Sequence, residues 1–338
     1  SLQPSLAIGR ARIHIYVPVD PELMVASLGK LANDKPLITA TVHRLIKMMA
    51  DQGFEVEFSP EGYSRQQDNF DFTTDLIRHA IDAGATVINC PDTIGGASHF
   101  QGEAYFVNNM AKHKAIMEQE FPNKEIIWSM HCHNDFGTAL ENSLNGVFRG
   151  IARQIEGCIN GVGERAGNVA LEQCIMMIRQ FGQATHLAQA YHTNIDIQYL
   201  KQASDFIAER MLPRQPHSPI VGKNSASHTS GGHINAILKN PLAYQPFDPR
   251  DVGSEISFVF GPLSGSNHAQ QILAKFGYQC TDSEKVAVTQ AIKDCYADRR
   301  KGITDDELLL AYKKYRAAIK LEDLSYAKDN SGKTIVTF

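Results

Sequence analysis

Residues 126–137 read IIWSMHCHNDFG, and residues 160–168 read NGVGERAGN. The first segment opens with an apolar run typical of a buried strand and closes with two histidines, His131 and His133. Side chains two positions apart in a strand lie on the same face, so both imidazoles can bind one ion while Cys132 points away. The second segment is a glycine-rich loop with a carboxylate, a guanidinium and a carboxamide. Together the segments predict a metal site with charged groups at the ends of neighbouring strands.

Strand and helix patterns alternate through the first half of the chain. The predicted strands cover residues 12–17, 54–58, 86–90, 125–130 and 154–159. The predicted helices cover residues 39–52, 73–83, 101–120, 136–150, 168–181 and 195–211. This alternation is typical of parallel β/α architecture, and both a doubly wound sheet and a barrel satisfy it. Polar residues follow all five strands, as at the catalytic end of a barrel. This recurrence, together with the family resemblance described next, predicts a (β/α)8 TIM-barrel type α/β fold with about five βα units in this chain.

The two quoted segments resemble signatures of the α-isopropylmalate synthases, a family of the DRE-TIM metallolyase superfamily. Citramalate and homocitrate synthases are its relatives, and the resemblance extends from about Arg12 to Phe338. Asn168 favours the isopropylmalate and citramalate branch, because homocitrate synthases generally lack asparagine there. The family's first strand carries an Arg-Asp pair whose aspartate is a metal ligand, and no such pair precedes Arg12. The resemblance therefore implies that the chain starts at the fourth barrel strand and that a partner or a longer protein supplies the rest.

The resemblance also implies an activity and a set of site residues. In the family reaction, the enolate of acetyl-CoA attacks the keto carbon of a 2-oxo acid in a Claisen-type condensation, and the thioester is then hydrolysed. The implied ligands of a divalent cation (Zn, Mn or Mg) are His131, His133 and Asn168, with acetyl-CoA as co-substrate. The implied catalytic residues are Glu61, Glu164 and His233, and the implied substrate-binding residues are His14 and Thr93.

Two positions depart from the family pattern. Gly62 stands where the family motif Ser-x-Glu-Asp has its aspartate, and Gly232, His233, Ile234 and Asn235 stand where many members carry His-Gln-Asp. Several site residues also have purely structural alternatives. These are a solvated loop acid for Glu61, a turn residue for Thr93, a strand residue for His14, a helix N-cap for Asn168 and an ion pair with Glu164 for Arg165.

The residues and the family resemblance together leave three classes of function open. The first is 2-isopropylmalate synthesis from 2-oxoisovalerate in leucine biosynthesis, with citramalate synthesis from pyruvate and a homocitrate synthase-like activity as near alternatives. The second is a metal-dependent aldolase or lyase on the same barrel, which does not need the subdomain-like segment 220–268. The third is a non-enzymatic role as an inactive fragment or partner subunit that lacks the first barrel strands.

The pattern changes after residue 181, where the β/α alternation stops. We predict a barrel part at residues 1–185, linker subdomain I at 186–245, helical linker subdomain II at 246–319 and the start of a regulatory domain at 320–338. Two capping boxes, Thr281 with Glu284 and Thr304 with Glu307, each predict the start of an amphipathic helix. Residues 321–326 and 334–338, joined at 330–332, predict a β-hairpin.

Composition favours a globular protein without a nucleic-acid or membrane role. A hydrophobic fraction of 43% suits a globular protein. Because the formal net charge is −4, there is no basic excess to bind nucleic acid. No apolar run approaches the roughly 20 residues that span a bilayer. The six cysteines are scattered without a Cys-x-x-Cys motif, and the chain begins at Ser1 without a signal-peptide pattern. We therefore expect reduced thiols and a cytoplasmic location, and the family resemblance implies a homodimer.

Overall fold

The structure, a computed structural model, describes residues 11–187, 189–299, 302–322, 325–328 and 334–337. The chain divides into two compact units, Ser1–Arg214 and Gln215–Phe338. The first unit contains a five-stranded parallel sheet. Its strands are β1 (Arg12–Pro18), β2 (Glu55–Glu61), β3 (Val87–Asp92), β4 (Ile127–Cys132) and β5 (Gln154–Glu156).

Seven helices accompany this sheet in the described part of the first unit. They are α1 (Pro21–Leu28), α2 (Lys35–Ala50), α3 (Phe70–Ala83), α4 (Phe106–Glu120), α5 (Ala139–Phe148), α6 (Leu171–Phe181) and α7 (Leu200–Arg210). The predicted strand–helix alternation is confirmed, but several elements differ in extent from the prediction; the fifth strand, for example, covers Gln154–Glu156 rather than residues 154–159. The helix predicted for 101–120 is a 3-10 turn and a separate α4, because Tyr105 is extended (φ −61°, ψ 126°). The predicted 136–150 and 195–211 helices begin later, at α5 and at a 3-10 turn (Ile197–Tyr199) before α7.

Helix α1 was not predicted, although the sequence carries a start signal for it. The Asp20 side chain accepts hydrogen bonds from the backbone N–H groups of Glu22 and Leu23, and Pro21 occupies the first turn. An aspartate N-cap followed by proline satisfies donors that the first helical turn leaves unpaired. The helix is short and follows directly on a strand, so it lacks the long apolar periodicity that identified the other helices.

The strand order decides between the two architectures that the sequence left open. The five strands are hydrogen-bonded in consecutive order, β1 to β5. In a doubly wound sheet the strand order reverses at a switch point, so helices cover both faces of the sheet. Parallel strands in consecutive order, joined by crossovers of one hand, place all their helices on one face. The sheet also curves strongly, since Arg12 Nη1 on one edge strand donates to Gln154 Oε1 on the other at 2.8 Å. These features confirm the predicted TIM-barrel type, with five parallel strands among the described residues.

The two faces of the sheet have opposite chemistry. Phe58, Ile88, Trp128 and Met130 are buried within the apolar core of the first unit, which also includes residues of the surrounding helices. The alternate positions of the same strands carry polar side chains that hydrogen-bond to one another. The period of two along a strand explains this separation, and it assigns the polar face to the inside of the curved sheet.

The second unit contains α8 (Gly231–Lys239), α9 (Ser266–Lys275), α10 (Asp282–Cys295) and α11 (Asp305–Glu322). The last three helices form a core of their own, in which Phe260, Leu273 and Ile292 are buried. Two short parallel strands, β6 (Ser227–His228) and β7 (Ser257–Phe258), pair with each other. Both predicted capping boxes are present, with Thr281 and Glu284 opening α10 and Thr304 and Glu307 opening α11.

The C-terminal residues contain an antiparallel strand pair, β8 (Ser325–Lys328) and β9 (Thr334–Thr337), which agrees with the predicted hairpin. Its first strand begins later than expected, because residues 321 and 322 belong to α11. The predicted hinge at residues 330–332 lies outside the described residues. All six cysteines carry free thiols, as predicted. No helix in the described ranges combines the length and apolar character that crossing a bilayer requires.

Candidate functional site

Five predicted site residues are associated with the carboxyl ends of successive strands. Glu61 is the last residue of β2, Thr93 follows β3, and His131 and His133 lie at the end of β4 and directly after it. Asn168 lies in the loop after β5. Because the strands are parallel, these ends share one edge of the sheet. The architecture therefore gathers there residues that are up to 107 positions apart, counted from 61 to 168.

The two histidines lie against each other. The ring centroids of His131 and His133 are 5.0 Å apart, with the ring planes at 80°. His131 Nδ1 lies 3.4 Å from the backbone oxygen of Glu156, which leaves Nε2 as the nitrogen available to a cation. Burial lowers the pKa of His131 and of His133, and in the latter the neighbouring His131 and Arg165 lower the pKa further. Both rings are therefore held neutral, the form that binds metal ions.

Asn168 lies opposite His133 in an antiparallel β-bridge. Its Nδ2 donates to the backbone oxygen of Val162 at 2.9 Å and contacts Cys158 Sγ at 3.4 Å, which fixes the orientation of the carboxamide. Asn168 Oδ1 and His133 Nδ1 are both buried, and neither has a hydrogen-bond partner. Buried polar atoms are normally partnered. Two unpartnered lone-pair donors on paired residues therefore fit a divalent cation.

A carboxamide is essential to this ligand set. No three side chains among the histidines, cysteines, aspartates and glutamates of the described ranges are placed to bind one metal ion together. The predicted set contains two residues of these types, His131 and His133, and takes its third ligand from Asn168. Its fourth ligand, the aspartate implied by the family resemblance, has no counterpart in the predicted motifs of this chain.

Thr93 and Glu61 are linked through the turn at Gly62. The Thr93 hydroxyl oxygen accepts a hydrogen bond from the backbone N–H of Gly62 at 2.9 Å, so its own proton is free to be donated. Burial raises the pKa of the Glu61 carboxyl. Gly62 has a φ of 74°, and a Cβ there would lie 2.4 Å from Cβ of Asp20. The departure from the family's Ser-x-Glu-Asp motif thus leaves space for Asp20, whose carboxylate pairs with Arg65.

His14 belongs to a different level of the site. Its Nε2 lies 2.6 Å from Ser59 Oγ and 3.5 Å from Glu57 Oε1, on the polar face of the sheet. It is near enough to His131 to contribute to the lowered pKa of that residue. His14 therefore lies on the polar face, nearer to the amino ends of the strands than His131 and His133. Its substrate-binding role stays a prediction.

Glu164 and His233, the predicted base pair, occupy different compact units. The Glu164 side chain is 87% exposed, and its Oε2 lies 3.9 Å from Arg165. His233 lies on α8 and stacks on Tyr244, with ring centroids 3.9 Å apart. The pairing of Glu164 with His233 stays a prediction. The closer partner of Arg165 is Asp135, with Nε to Oδ1 at 2.9 Å and Nη2 to Oδ2 at 3.1 Å, rather than Glu164.

A buried polar network beneath the histidines was missed by the sequence reasoning. Asn89 Nδ2 donates to Glu156 Oε2 at 3.0 Å, and Gln154 Nε2 donates to Glu156 Oε1 at 2.8 Å. Burial, followed by the hydrogen bond and charge of the nearby Glu57, raises the pKa of Glu156 to about 8. The available signal was the alternation of polar residues in the strands, such as Glu55 and Glu57 in β2.

Known proteins resemble both units. The chain matches the HMGL-like family over residues 2–207 and the family described as homocitrate synthase post-HMGL domain-like over residues 220–301. The 2-isopropylmalate synthase of Saccharolobus solfataricus is 35% identical over 313 residues, which are 92% of this chain and 75% of that protein. The chain belongs to the α-isopropylmalate synthase family. This membership places it among enzymes of the acyltransferase class with a TIM-barrel type fold.

Other members of the α-isopropylmalate synthase family are longer. The 2-isopropylmalate synthases of Staphylococcus saprophyticus and Afipia carboxidovorans are 34% and 36% identical over 306 and 303 residues, or 89% and 88% of this chain. The chain spans 56% and 54% of their lengths, so it corresponds to about half of these two relatives. The solved structure of Bacillus subtilis HMG-CoA lyase superposes with a TM-score of 0.47 at 17% identity, covering 64% of this chain and 68% of that one.

Proposed function

We propose that this chain carries the metal-binding part of the catalytic site of a 2-isopropylmalate synthase. The reaction joins acetyl-CoA to 2-oxoisovalerate and consumes one water to release CoA and 2-isopropylmalate, in leucine biosynthesis. One observation carries the proposal: His133 Nδ1 and Asn168 Oδ1 are buried without partners on residues that face each other. The names of the relatives support the choice of substrates.

In this proposal His131, His133 and Asn168 hold the divalent cation, which is Zn, Mn or Mg. When bound, such a cation polarises the keto group that the enolate attacks. The chain contributes two rings that burial keeps neutral and a carboxamide that Val162 keeps oriented. Ligands whose orientation is set in advance bind without having to be reorganised.

Thr93 and Glu61 act on the groups around the ketone. The Thr93 hydroxyl accepts from the backbone of Gly62 and has a proton to donate, which suits the carboxylate of the 2-oxo acid. The raised pKa of Glu61 brings its proton affinity nearer to neutral pH, as proton transfer or the orientation of water requires. We assign roles in the removal of the acetyl methyl proton to His233 and to Glu164, and a substrate-binding role to His14.

The same proposal includes the organisation of the chain. Residues 1–185 form the barrel part, 186–245 and 246–319 the two linker subdomains, and 320–338 the start of a regulatory region. The protein acts in the cytoplasm as a homodimer, which light scattering after size-exclusion chromatography tests. A monomer at all accessible concentrations contradicts the dimer.

A second candidate is a homocitrate synthase-like activity. It is favoured by the match of residues 220–301 to the family described as homocitrate synthase post-HMGL domain-like. Asn168 favours the isopropylmalate branch instead, and it also leaves citramalate synthesis from pyruvate open. The three activities share acetyl-CoA and differ in the 2-oxo acid, so one assay separates them.

The test follows the release of the CoA thiol with 2-oxoisovalerate, pyruvate or 2-oxoglutarate. The assay uses the 338-residue chain and the same chain with the first three β/α units of the Saccharolobus solfataricus relative fused before Ser1. We expect the highest kcat/KM with 2-oxoisovalerate, loss of activity after chelation and recovery with Mn. Activity that survives both chelator and His131→Ala contradicts the metal site, and a preference for another oxo acid replaces the proposed substrate.

A further inference from the structure

One guanidinium ties together the loops that follow three successive strands. Arg165, in the loop after β5, donates from Nε and Nη2 to the two carboxylate oxygens of Asp135 at 2.9 and 3.1 Å. Asp135 lies in the loop after β4, two residues beyond His133. Arg165 Nη2 also donates to the backbone oxygen of Thr93 after β3, at 2.8 Å. The planar fork of arginine matches a carboxylate in this bidentate way, which lysine cannot reproduce.

Two backbone features show that the loops are built around this contact. Arg165 has a φ of 55°, in the left-handed region that non-glycine residues rarely occupy because of steric strain. Gly95 has a φ of 61°, and a Cβ there would lie 2.3 Å from Asp135 Oδ2 and 2.6 Å from Asp135 N. The loop after β3 can therefore approach Asp135 only with glycine at this position. The strained residue is thus Arg165 itself, and the residue that approaches closely, Gly95, contacts Asp135.

Backbone hydrogen bonds connect the same loops directly to the residues proposed as ligands. The N–H of Asn134 donates to the oxygen of Gly167 at 2.9 Å, and the N–H of Phe136 donates to the oxygen of Gly95 at 3.1 Å. Asn134 follows His133, and Gly167 precedes Asn168. Any shift of the loop after β4 relative to the loop after β5 thus changes the separation of His133 and Asn168.

The pair contributes little to global stability, because the side chains of Arg165 and Asp135 are 43% and 24% exposed. Water screens exposed ion pairs of this kind, so they stabilise proteins only weakly. We propose that Arg165 is a positioning residue, which holds the three loops in one arrangement and so sets the separation of His133 and Asn168. This inference rests on the proposed function in one respect, namely that His133 and Asn168 bind a cation.

The first test is amide hydrogen exchange of the full chain without metal or substrate. Arg165→Ala and Arg165→Lys should each raise the exchange rates at Asn134 and Phe136 about tenfold and leave the amides inside β4 unchanged. Arg153→Ala is the matched control. Arg153 bonds Glu125 at 2.8 Å, and this pair lies at the amino ends of β5 and β4, opposite to the Arg165–Asp135 pair. Both side chains are exposed, Arg153 by 65% and Glu125 by 76%. If Arg165→Ala does not fold, Arg165→Lys and Asp135→Asn carry the test.

The second test is the affinity of the same variants for Co²⁺, read from its visible absorption. Groups that orient metal ligands typically change affinity about 10–100-fold, so we expect at least a tenfold loss for both Arg165 variants and none for Arg153→Ala. Unchanged exchange at Asn134 and Phe136 overturns the positioning role. Faster exchange with unchanged Co²⁺ affinity also overturns it. Faster exchange in a chain whose wild type binds no Co²⁺ supports the loop arrangement and contradicts the proposed function.

Discussion

His133 and Asn168 face each other across an antiparallel bridge, and each has one buried atom without a hydrogen-bond partner. The two residues are 35 positions apart, counted from 133 to 168, and lie in different loops. Because unpartnered buried atoms are destabilising, a cation that accepts both lone pairs should bind and stabilise the folded chain.

The first prediction concerns this pair and His131. Replacing His131, His133 or Asn168 by alanine should weaken the binding of Mn²⁺ by at least about tenfold, since each change removes one ligand atom. Isothermal titration calorimetry measures the affinity. His99→Ala is the control, because this half-exposed histidine pairs with Glu141 and is not one of the proposed ligands. Equal affinities for all four variants contradict the proposed ligand set.

The second prediction concerns Thr93. Its hydroxyl accepts from the backbone N–H of Gly62, which leaves the hydroxyl proton for the substrate. A hydrogen bond to a charged group contributes about 1.5–3 kcal/mol, so Thr93→Val should raise KM for the 2-oxo acid about tenfold or more. Thr93→Ser keeps the hydroxyl and should remain close to wild type. Steady-state kinetics with 2-oxoisovalerate decides the matter, and equal KM values for both variants argue against the contact.

The third prediction concerns the buried carboxylate on the polar face of the sheet. Arg12 donates to Glu57, whose side chain is 4% exposed, and to Glu55, whose side chain is 43% exposed. Arg12→Met removes the arginine partner of this buried carboxylate and should lower the free energy of unfolding by about 3 kcal/mol. Glu55→Gln removes only the exposed partner and should change it by about 0.5 kcal/mol. Urea unfolding measures both, and similar losses contradict the distinction.

The fourth prediction concerns pH and a buried histidine that is not one of the proposed ligands. His113 Nδ1 bonds the hydroxyl of Tyr63 at 2.7 Å, Nε2 bonds Thr74 Oγ1 at 2.9 Å, and the ring stacks on Phe70 at 4.3 Å. Burial lowers the pKa of His113 from 6.5 to about 4. The unfolded chain therefore binds this proton first as the pH falls, and the associated stability is present above pH 6.5 and lost towards pH 4.

Urea unfolding of His113→Gln tests this expectation. The variant should lose less stability than wild type between about pH 7 and about pH 4.5, because glutamine has no proton to gain. His217→Gln, at an exposed position, should follow the wild-type curve. Parallel curves for wild type and His113→Gln mean that the histidine does not control acid stability.

Much of the fold was predictable because it rests on local patterns. The strand before His131 and the capping boxes at Thr281 and Thr304 are short-range features, and the structure contains all of them. Element boundaries were less accurate where a turn interrupts a helical pattern, as at Tyr105. Helix α1 was missed because its N-cap signal at Asp20 is not followed by a long periodic segment.

The sequence by itself determined which residue types stand at the strand ends, since the alternation that continues from β4 into the next residue predicts His131 and His133 on one side. Only the tertiary structure decided the partners. It shows that Asn168 lies opposite His133, that Arg165 bonds Asp135 rather than only Glu164, and that burial beside Glu57 raises the pKa of Glu156. The physical reason is that pairing distances, burial and pKa values depend on residues far apart in the chain, and no local pattern encodes their separation in space.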